Sequence, residues 1–291
     1  MTVYLSTTFA PTDTPITPVL ERLREQGINA VELGSTHCPE PDLASKLIVL
    51  GMSYLVHNYF PPPLERFVAN IASSDPDIRK RSLDHGKMSM SFCAEIGAHL
   101  YTFHPGFVTD PQGESRGGQN YDFRFTAQPM TSSTYRESFD RFLEGTGILV
   151  KHARREGVAL AVESQGSIAQ ADHLLLQRPE EFESFTRAFS RKDIGLNVNL
   201  GHLNLAARVY AFDRLDFMRR FAENVVALEI SHNDGQNDDH AALRRDAWYW
   251  PVITNELLDG AYKIFEGRDL PIDTAVEMVR WLRESTDVSR G

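Results

Sequence analysis

The chain has 291 residues, a length that suits one large domain or two small ones. With 30 Lys+Arg against 40 Asp+Glu, its formal charge is −10, a field that repels phosphate backbones and disfavours nucleic acid as a partner. Cys38 and Cys93 make no disulfide framework, which fits a reduced cytoplasm; the first residues, MTVYLSTTFAPTD, do not read as a signal peptide, and no run approaches the ~20 apolar residues of a membrane span.

Val3–Ser6 is a short strand candidate. Ile16, Val19, Leu20 and Leu23 follow at helical spacing, and Gly27 stops that helix. Ala30–Gly34 is a second strand, Leu43–Leu50 a short helix and Ser53–Asn58 a third strand. Tyr59 to Pro63 carries three prolines, which lack an N–H, so it is a stiff loop. A long helix with Leu83, Gly86, Met90, Cys93, Ala94 and Gly97 on one stripe leads to strand four, Leu100–His104. Phe107–Ser133 is rich in Gly, Gln, Asp, Pro and Ser, has no helical period, and is expected to be a functional loop over the site. A helix with Phe139, Phe142, Leu143, Val150 and Ala153 precedes strand five, Val158–Glu163. Pro179–Phe189 is a helix, Ile194–Asn199 strand six, Asp213–Ala222 a helix and Val225–Ile230 strand seven. Thr254–Asp259 is a short helix, Ala261–Glu266 strand eight, and Ile272, Ala275, Val276, Val279 and Leu282 mark the face of the last helix.

Eight strands alternating with helical segments require parallel pairing through crossover helices. Eight units in under 300 residues indicate a closed (β/α)₈ barrel rather than an open doubly wound sheet, and no GxGxxG follows the first strand. With no linker or repeat, residues 1–291 read as one domain.

In such a barrel the active site sits at the C-terminal strand ends. His57, His104, Glu163, Asn199, His232 and Glu266 each fall at or just past one of these ends, and His240 with Asp238 follows eight residues after His232. A single strand-end histidine is more often a structural hydrogen-bonding residue. A ring of imidazoles and carboxylates is better explained as a divalent-metal site. Glu32, near the end of strand two, is a further candidate to face it. His37, His85, His99, His152 and His173 lie in helical or loop contexts and are not expected to be ligands.

The chain resembles the xylose-isomerase-like TIM-barrel superfamily, which holds sugar isomerases, epimerases and the endonuclease IV enzymes. The resemblance is most specific in Phe103–Gly106 (FHPG), in Asn199–Asn204 (NLGHLN), and in the pattern of His232, Asp234, Gly235, Asp238 and His240. It implies one metal (Zn, Mn, Mg or Co) held by Glu163, Asn199, His232 and Glu266. In the endonuclease branch a zinc cluster adds ligands that match His57, His104, His202, Asp238 and His240. Strand six carries Asn199 where the family has Asp, which removes a negative charge from the ligand set.

The resemblance further implies a metal-dependent sugar or sugar-phosphate isomerase or epimerase, working by proton abstraction beside a carbonyl through an enediolate. Glu163 and Glu266 match the pair that serves as base and returning acid, and His202 is placed to hold a substrate oxygen. Trp248, Tyr249 and Trp250 are candidates to stack on a sugar face, with rim packing as the alternative. Phosphodiester hydrolysis of the endonuclease IV kind is the second reading, favoured by His57, His104, Asp238 and His240 and opposed by the charge of −10 and by Asn199. A non-catalytic or dehydratase-like sugar-binding derivative is the third. Assembly as a homo-oligomer stays open.

Overall fold

A computed structural model describes residues 2–112, 125 and 131–288. Strands β1 (Val3–Ser6), β2 (Ala30–Leu33), β3 (Ser53–His57) and β4 (Leu100–Phe103) are followed by β5 (Ala159–Glu163), β6 (Gly195–Asn199), β7 (Val225–Ile230) and β8 (Tyr262–Phe265). They close into a barrel in sequence order, each parallel to its neighbours, with β8 returning to β1. The helices are α1 (Ile16–Glu25), α2 (Leu43–Leu50), α3 (Pro76–Ile96), α4 (Ser132–Glu156), α5 (Pro179–Ala188), α6 (Leu200–Tyr210), α7 (Arg214–Phe221), α8 (Trp250–Ile253) and α9 (Ile272–Val288). Among the described residues no helix is long and apolar enough to cross a membrane.

Strand side chains alternate between the two faces of the barrel wall. Tyr4, Ala30, Leu55, Leu100, Ala161, Ala227 and Ile264 form a small apolar cluster of their own, one residue from each of seven strands. The remaining strand, β6, puts Gly195 at that level, where an added Cβ would lie 2.4 Å from Val226. Two residues further along the same strands come Ser6, Glu32, His57, Thr102, Glu163, Asn197, Glu229 and Glu266, all buried and all polar. The interior is therefore apolar at its floor and polar toward the C-terminal strand ends. The intervening positions, among them Val31, Val56, Phe103, Val162, Val198, Leu228 and Phe265, join the large core shared with the helices.

Local chemistry accounts for the helix ends. Asp75 accepts from the N–H groups of Asp77 and Ile78 to start α3, with Pro76 at its first position. Gly97 closes that helix at φ +68°, a left-handed conformation that glycine adopts freely.

Two expectations shift. Helix α6 follows β6 without a break, where no helix was expected; residues Leu200 to Ala207 are all buried, so the segment has no polar face to mark its period. The expected helix Thr254–Asp259 is instead α8 followed by a 3₁₀ turn, Glu256–Leu258, because the Asn255 side chain accepts from Leu257 N–H and restarts the chain there. Most of the loop Phe107–Ser133 lies outside the described residues; α4 begins within its last two, capped by Thr131.

Candidate active site

The C-terminal end of the barrel gathers two groups of ligand-type side chains. In the first, His57 Nε2 and His104 Nε2 lie 3.5 and 2.8 Å from Glu163 Oε2. In the second, His240 Nε2 lies 3.0 Å from Asp238 Oδ1 and His202 Nε2 lies 3.4 Å from Asp238 Oδ2. Each group is two imidazole Nε2 atoms converging on one carboxylate. The opposite ring nitrogens are tied to the framework: His57 Nδ1 to Thr102 Oγ1 at 2.8 Å, His202 Nδ1 to the Ser164 carbonyl at 2.9 Å, and His240 Nδ1 to the Glu266 carbonyl at 3.3 Å. Where Nδ1 is the donor and the ring is neutral, Nε2 keeps its lone pair, the arrangement a metal-ligating histidine takes.

Different local features deliver the two groups. The first comes straight from β3, β4 and β5. The second needs α6 and the loop after β7. Gly166 lets the β5 loop approach α6; a Cβ there would sit 2.0 Å from the His202 carbonyl oxygen. Asn233 donates to the Gly201 carbonyl at 2.9 Å and accepts from Asn204 at 2.7 Å, which pins the β7 loop to the first turn of α6. Arg268, just past β8, reaches Asp238 at 3.3 Å.

Asn199 lies between the groups. Its Oδ1 accepts from the N–H groups of Gly201 and His202 at 3.1 and 3.2 Å and so caps α6. Its Nδ2 then faces Glu163 Oε1, Glu229 Oε2 and Glu266 Oε2 at 3.1, 3.0 and 2.9 Å. Exchanging oxygen and nitrogen would set the oxygen against three carboxylates and the NH₂ against two N–H donors, so this orientation is determined by its partners.

The carboxyls divide into two kinds. Burial alone would push Glu163 up, but His104, His202 and His57 outweigh it and hold it well below the usual range. Glu266 is likewise opposed by burial but brought down to about 2 by His240 and Arg268. Burial also pushes against Asp238, which His240, His202 and Arg268 keep well below its ordinary value. Glu32 and Glu229 go the other way. Burial, with Glu266 and Glu163 adding to it, drives Glu32 well above the usual range; burial, Glu163 and Glu266 do the same to Glu229. Burial lowers His57 to about 4. His202 resists burial and is raised by Asp238 and Glu163.

Glu32 carries a testable consequence. A folded-state pKa above the unfolded one contributes stability that is complete below the unfolded value of 4.5 and is lost as pH rises through the raised one. Glu32→Gln, neutral throughout, is expected to raise the melting temperature of the metal-free protein at alkaline pH by a few degrees, on the scale of ~1–3 kcal/mol for a buried polar group relieved. The check is thermal melting from pH 5 to 9. Parallel curves for the two proteins would mean that Glu32 holds no buried proton.

The residues fit a divalent ion. Glu163 Oε2 and Asp238 Oδ1, one in each group, are buried oxygens with no hydrogen bond. The ligand atoms of His57, His104 and Glu163 lie within 4.8 Å of one another, as do those of His202, Asp238 and His240. Glu32, His57 and Glu229 make a third such group, which shares His57. Two imidazoles and one carboxylate are the donors of an open catalytic site.

The expected central set does not come together. Glu163, Asn199 and Glu266 meet, but Asn199 turns its nitrogen to the carboxylates. His232 faces Tyr249, at 6.1 Å between ring centroids, and belongs to none of the three groups found among the described residues. Its contribution is backbone: two hydrogen bonds with Ala241, of 3.0 and 2.8 Å, close the loop that carries Asp238 and His240. The inward positions of β7 are Ala227 and Glu229, followed by Ser231, and His232 is one residue out of phase. Sequence reasoning passed over Glu229, although that alternation carried the signal. Trp248 packs under Arg214, 4.5 Å from its ring centre, and Trp250 packs on Trp281 of α9 at 5.0 Å, which is rim packing rather than an open stacking face.

A closed parallel barrel with its ligand-type side chains at the C-terminal strand ends is the architecture of a TIM-barrel protein with its site in the usual place. The chain belongs to the xylose isomerase-like TIM-barrel family, whose model matches residues 10–285. No curated protein matches it. Among solved structures it is similar to a D-tagatose 3-epimerase-like protein, with 18% identity, TM-score 0.75 and coverage of 100% of this chain and 98% of that one. It is similar to a Thermus thermophilus protein soaked with ZnCl₂, at 21% identity, TM-score 0.64 and 98% of each chain. Endonuclease IV from the same organism is 15% identical, with TM-score 0.59 and 98% of each chain covered.

Proposed function

We propose that this protein is a divalent-metal-dependent isomerase or epimerase of a small sugar or sugar phosphate. The observation that carries the reading is the pairing of Glu163 and Glu266. They are carboxyls held below the usual range, one at the end of β5 and one just past β8, both within 3.1 Å of the same Asn199 nitrogen, with His57, His104 and His202 facing Glu163 and His240 facing Glu266. Moving a stereocentre or a carbonyl along a sugar requires a proton to be taken from carbon and returned. Glu163 is the base in this reading. Glu266 receives or returns the proton on the other side of the substrate. Glu229, which burial, Glu163 and Glu266 push well above the usual range, lies beside the same amide and is the carboxyl suited to hand a proton to either. His104 and Asp238, at 20% and 14% side-chain exposure, are the members of the two groups that reach toward the mouth. A divalent ion, when bound, supplies positive charge that polarises the substrate's carbonyl and hydroxyl oxygens. Among the similar structures, the D-tagatose 3-epimerase-like protein supports the choice of substrate class.

Phosphodiester hydrolysis is the second reading, favoured by the two flanking His/carboxylate groups and by the similarity to endonuclease IV. The net charge of −10 opposes it. Both are tested together. The protein is incubated in D₂O with Zn²⁺ or Mn²⁺ and a panel of ketoses and ketose phosphates, and separately with an abasic-site duplex. Metal-dependent exchange of the C–H proton beside the carbonyl is expected. Duplex cleavage without exchange would transfer the assignment to the hydrolase, and neither activity on any member would remove both.

A further inference from the structure

We infer that Asn199 stands in for a central cation, so that this chain binds two divalent ions, one in each flanking His/carboxylate group, with an amide between them. The inference rests on the metal-dependent reading of the site. It concerns the number and place of the ions, which can be counted without any substrate.

Three carboxylate oxygens converge on one point, at 2.9–3.1 Å from the Asn199 nitrogen. Such a cluster, fully buried, needs positive charge at its centre or hydrogen-bond donors. Here the donors are the two N–H bonds of one amide, shared among the three oxygens at hydrogen-bonding distance. The amide cannot turn to offer its oxygen, because that oxygen already holds the N–H groups of Gly201 and His202 at the head of α6. Strand β7 adds no ligand beyond Glu229, which is already one of the three converging oxygens. Its inward series ends in Ser231, whose buried hydroxyl has no partner, while His232 faces Tyr249. The centre is thus satisfied by protein alone.

The flanks are not. The oxygens left without hydrogen bonds, Glu163 Oε2 and Asp238 Oδ1, face imidazole nitrogens rather than the amide: Glu163 Oε2 lies 3.5 and 2.8 Å from His57 and His104 Nε2, and Asp238 Oδ1 lies 3.0 Å from His240 Nε2, with His202 Nε2 3.4 Å from Oδ2 of the same carboxyl group. Glu163 shows the division within one side chain: Oε1 faces the amide and His202, and Oε2 faces His57 and His104. The amide also keeps Glu163 and Glu266 apart and oriented before any ion arrives, so each group can fill independently.

The test is metal counting on the full-length protein, stripped with chelator, reloaded with excess Zn²⁺ or Mn²⁺ alone and dialysed. Two ions per chain are expected by elemental analysis and native mass spectrometry. His104→Ala and Asp238→Asn should each leave one. Asn199→Asp, which removes the donors and adds a fourth carboxylate, should raise the count to three. It should also melt below wild type in chelator and gain more from added metal. One or three ions in wild type, or an unchanged count in Asn199→Asp with the same melting response, would overturn the inference. If that variant does not fold without metal, the counts in wild type, His104→Ala and Asp238→Asn decide alone. Sugar exchange without two bound ions would leave the functional reading standing and this one refuted; two ions without exchange would do the reverse.

Discussion

Glu163→Gln is expected to lower turnover by ~10²–10⁴, the range lost with a positioned acid–base group, and to empty the first metal group while leaving the barrel folded. Glu163 serves four partners at once. Glu163 Oε2 faces two imidazoles, and Oε1 faces His202 Nδ1 at 3.0 Å and the Asn199 amide at 3.1 Å. Glutamine keeps the shape but loses the charge. It would present an NH₂ to one of these partners, and each of them either carries its own N–H or needs its lone pair for the ion. The fold should survive, because glutamine keeps the shape of the side chain and relieves the barrel interior, which also buries Glu32, Glu229 and Glu266, of one charge. The check is kcat/KM together with metal content and a thermal melt. Retained metal and turnover within tenfold of wild type would remove Glu163 from the centre of the account.

The second large effect is expected from Gly166→Ala. The added Cβ meets backbone: the His202 carbonyl oxygen at 2.0 Å, its carbon at 2.7 Å and Cα at 3.0 Å. No rotamer relieves a contact with main chain, so the β5 loop and α6 must separate. A cost of ~3 kcal/mol or more follows, a melting shift of roughly 5 °C in a chain of this size. The same movement carries His202 away from Asp238, so the second metal group should weaken even in molecules that remain folded. Separate titrations distinguish the two consequences. A variant that melts near wild type and binds metal normally would mean that the β5 loop has slack at this contact.

All eight strands were legible in the sequence because each is a short apolar run closed by a glycine, a proline or a polar residue. The barrel followed from counting them. The polar ring followed in part. His57, Glu163 and Glu266 end their strands on the inward phase, so position and orientation agreed. At β7 they did not. His232 is the more conspicuous metal-type residue, but the alternation through Ala227 selects Glu229, and reading every second residue along VVALEI would have found it. Asn199 was legible as a departure from the family's Asp, but its orientation was not. That depends on α6 starting at the next residue and claiming the oxygen, and α6 itself was hidden by burial on every side. Trp248 and Trp250 show the same limit, since aromatic character alone does not distinguish a sugar platform from a contact with Arg214 or Trp281.

The metal centre is the claim on which the rest depends, and anomalous scattering from crystals of the metal-loaded protein tests it most directly. Two peaks are predicted at the barrel mouth. One lies at coordination distance, ~2.0–2.2 Å, from His57 Nε2, His104 Nε2 and Glu163, the other from His202 Nε2, Asp238 and His240 Nε2, with none bonded to Asn199. A single ion held by Glu163, Asn199, His232 and Glu266, or no ion at the mouth of a protein that still exchanges the sugar proton, would contradict the account.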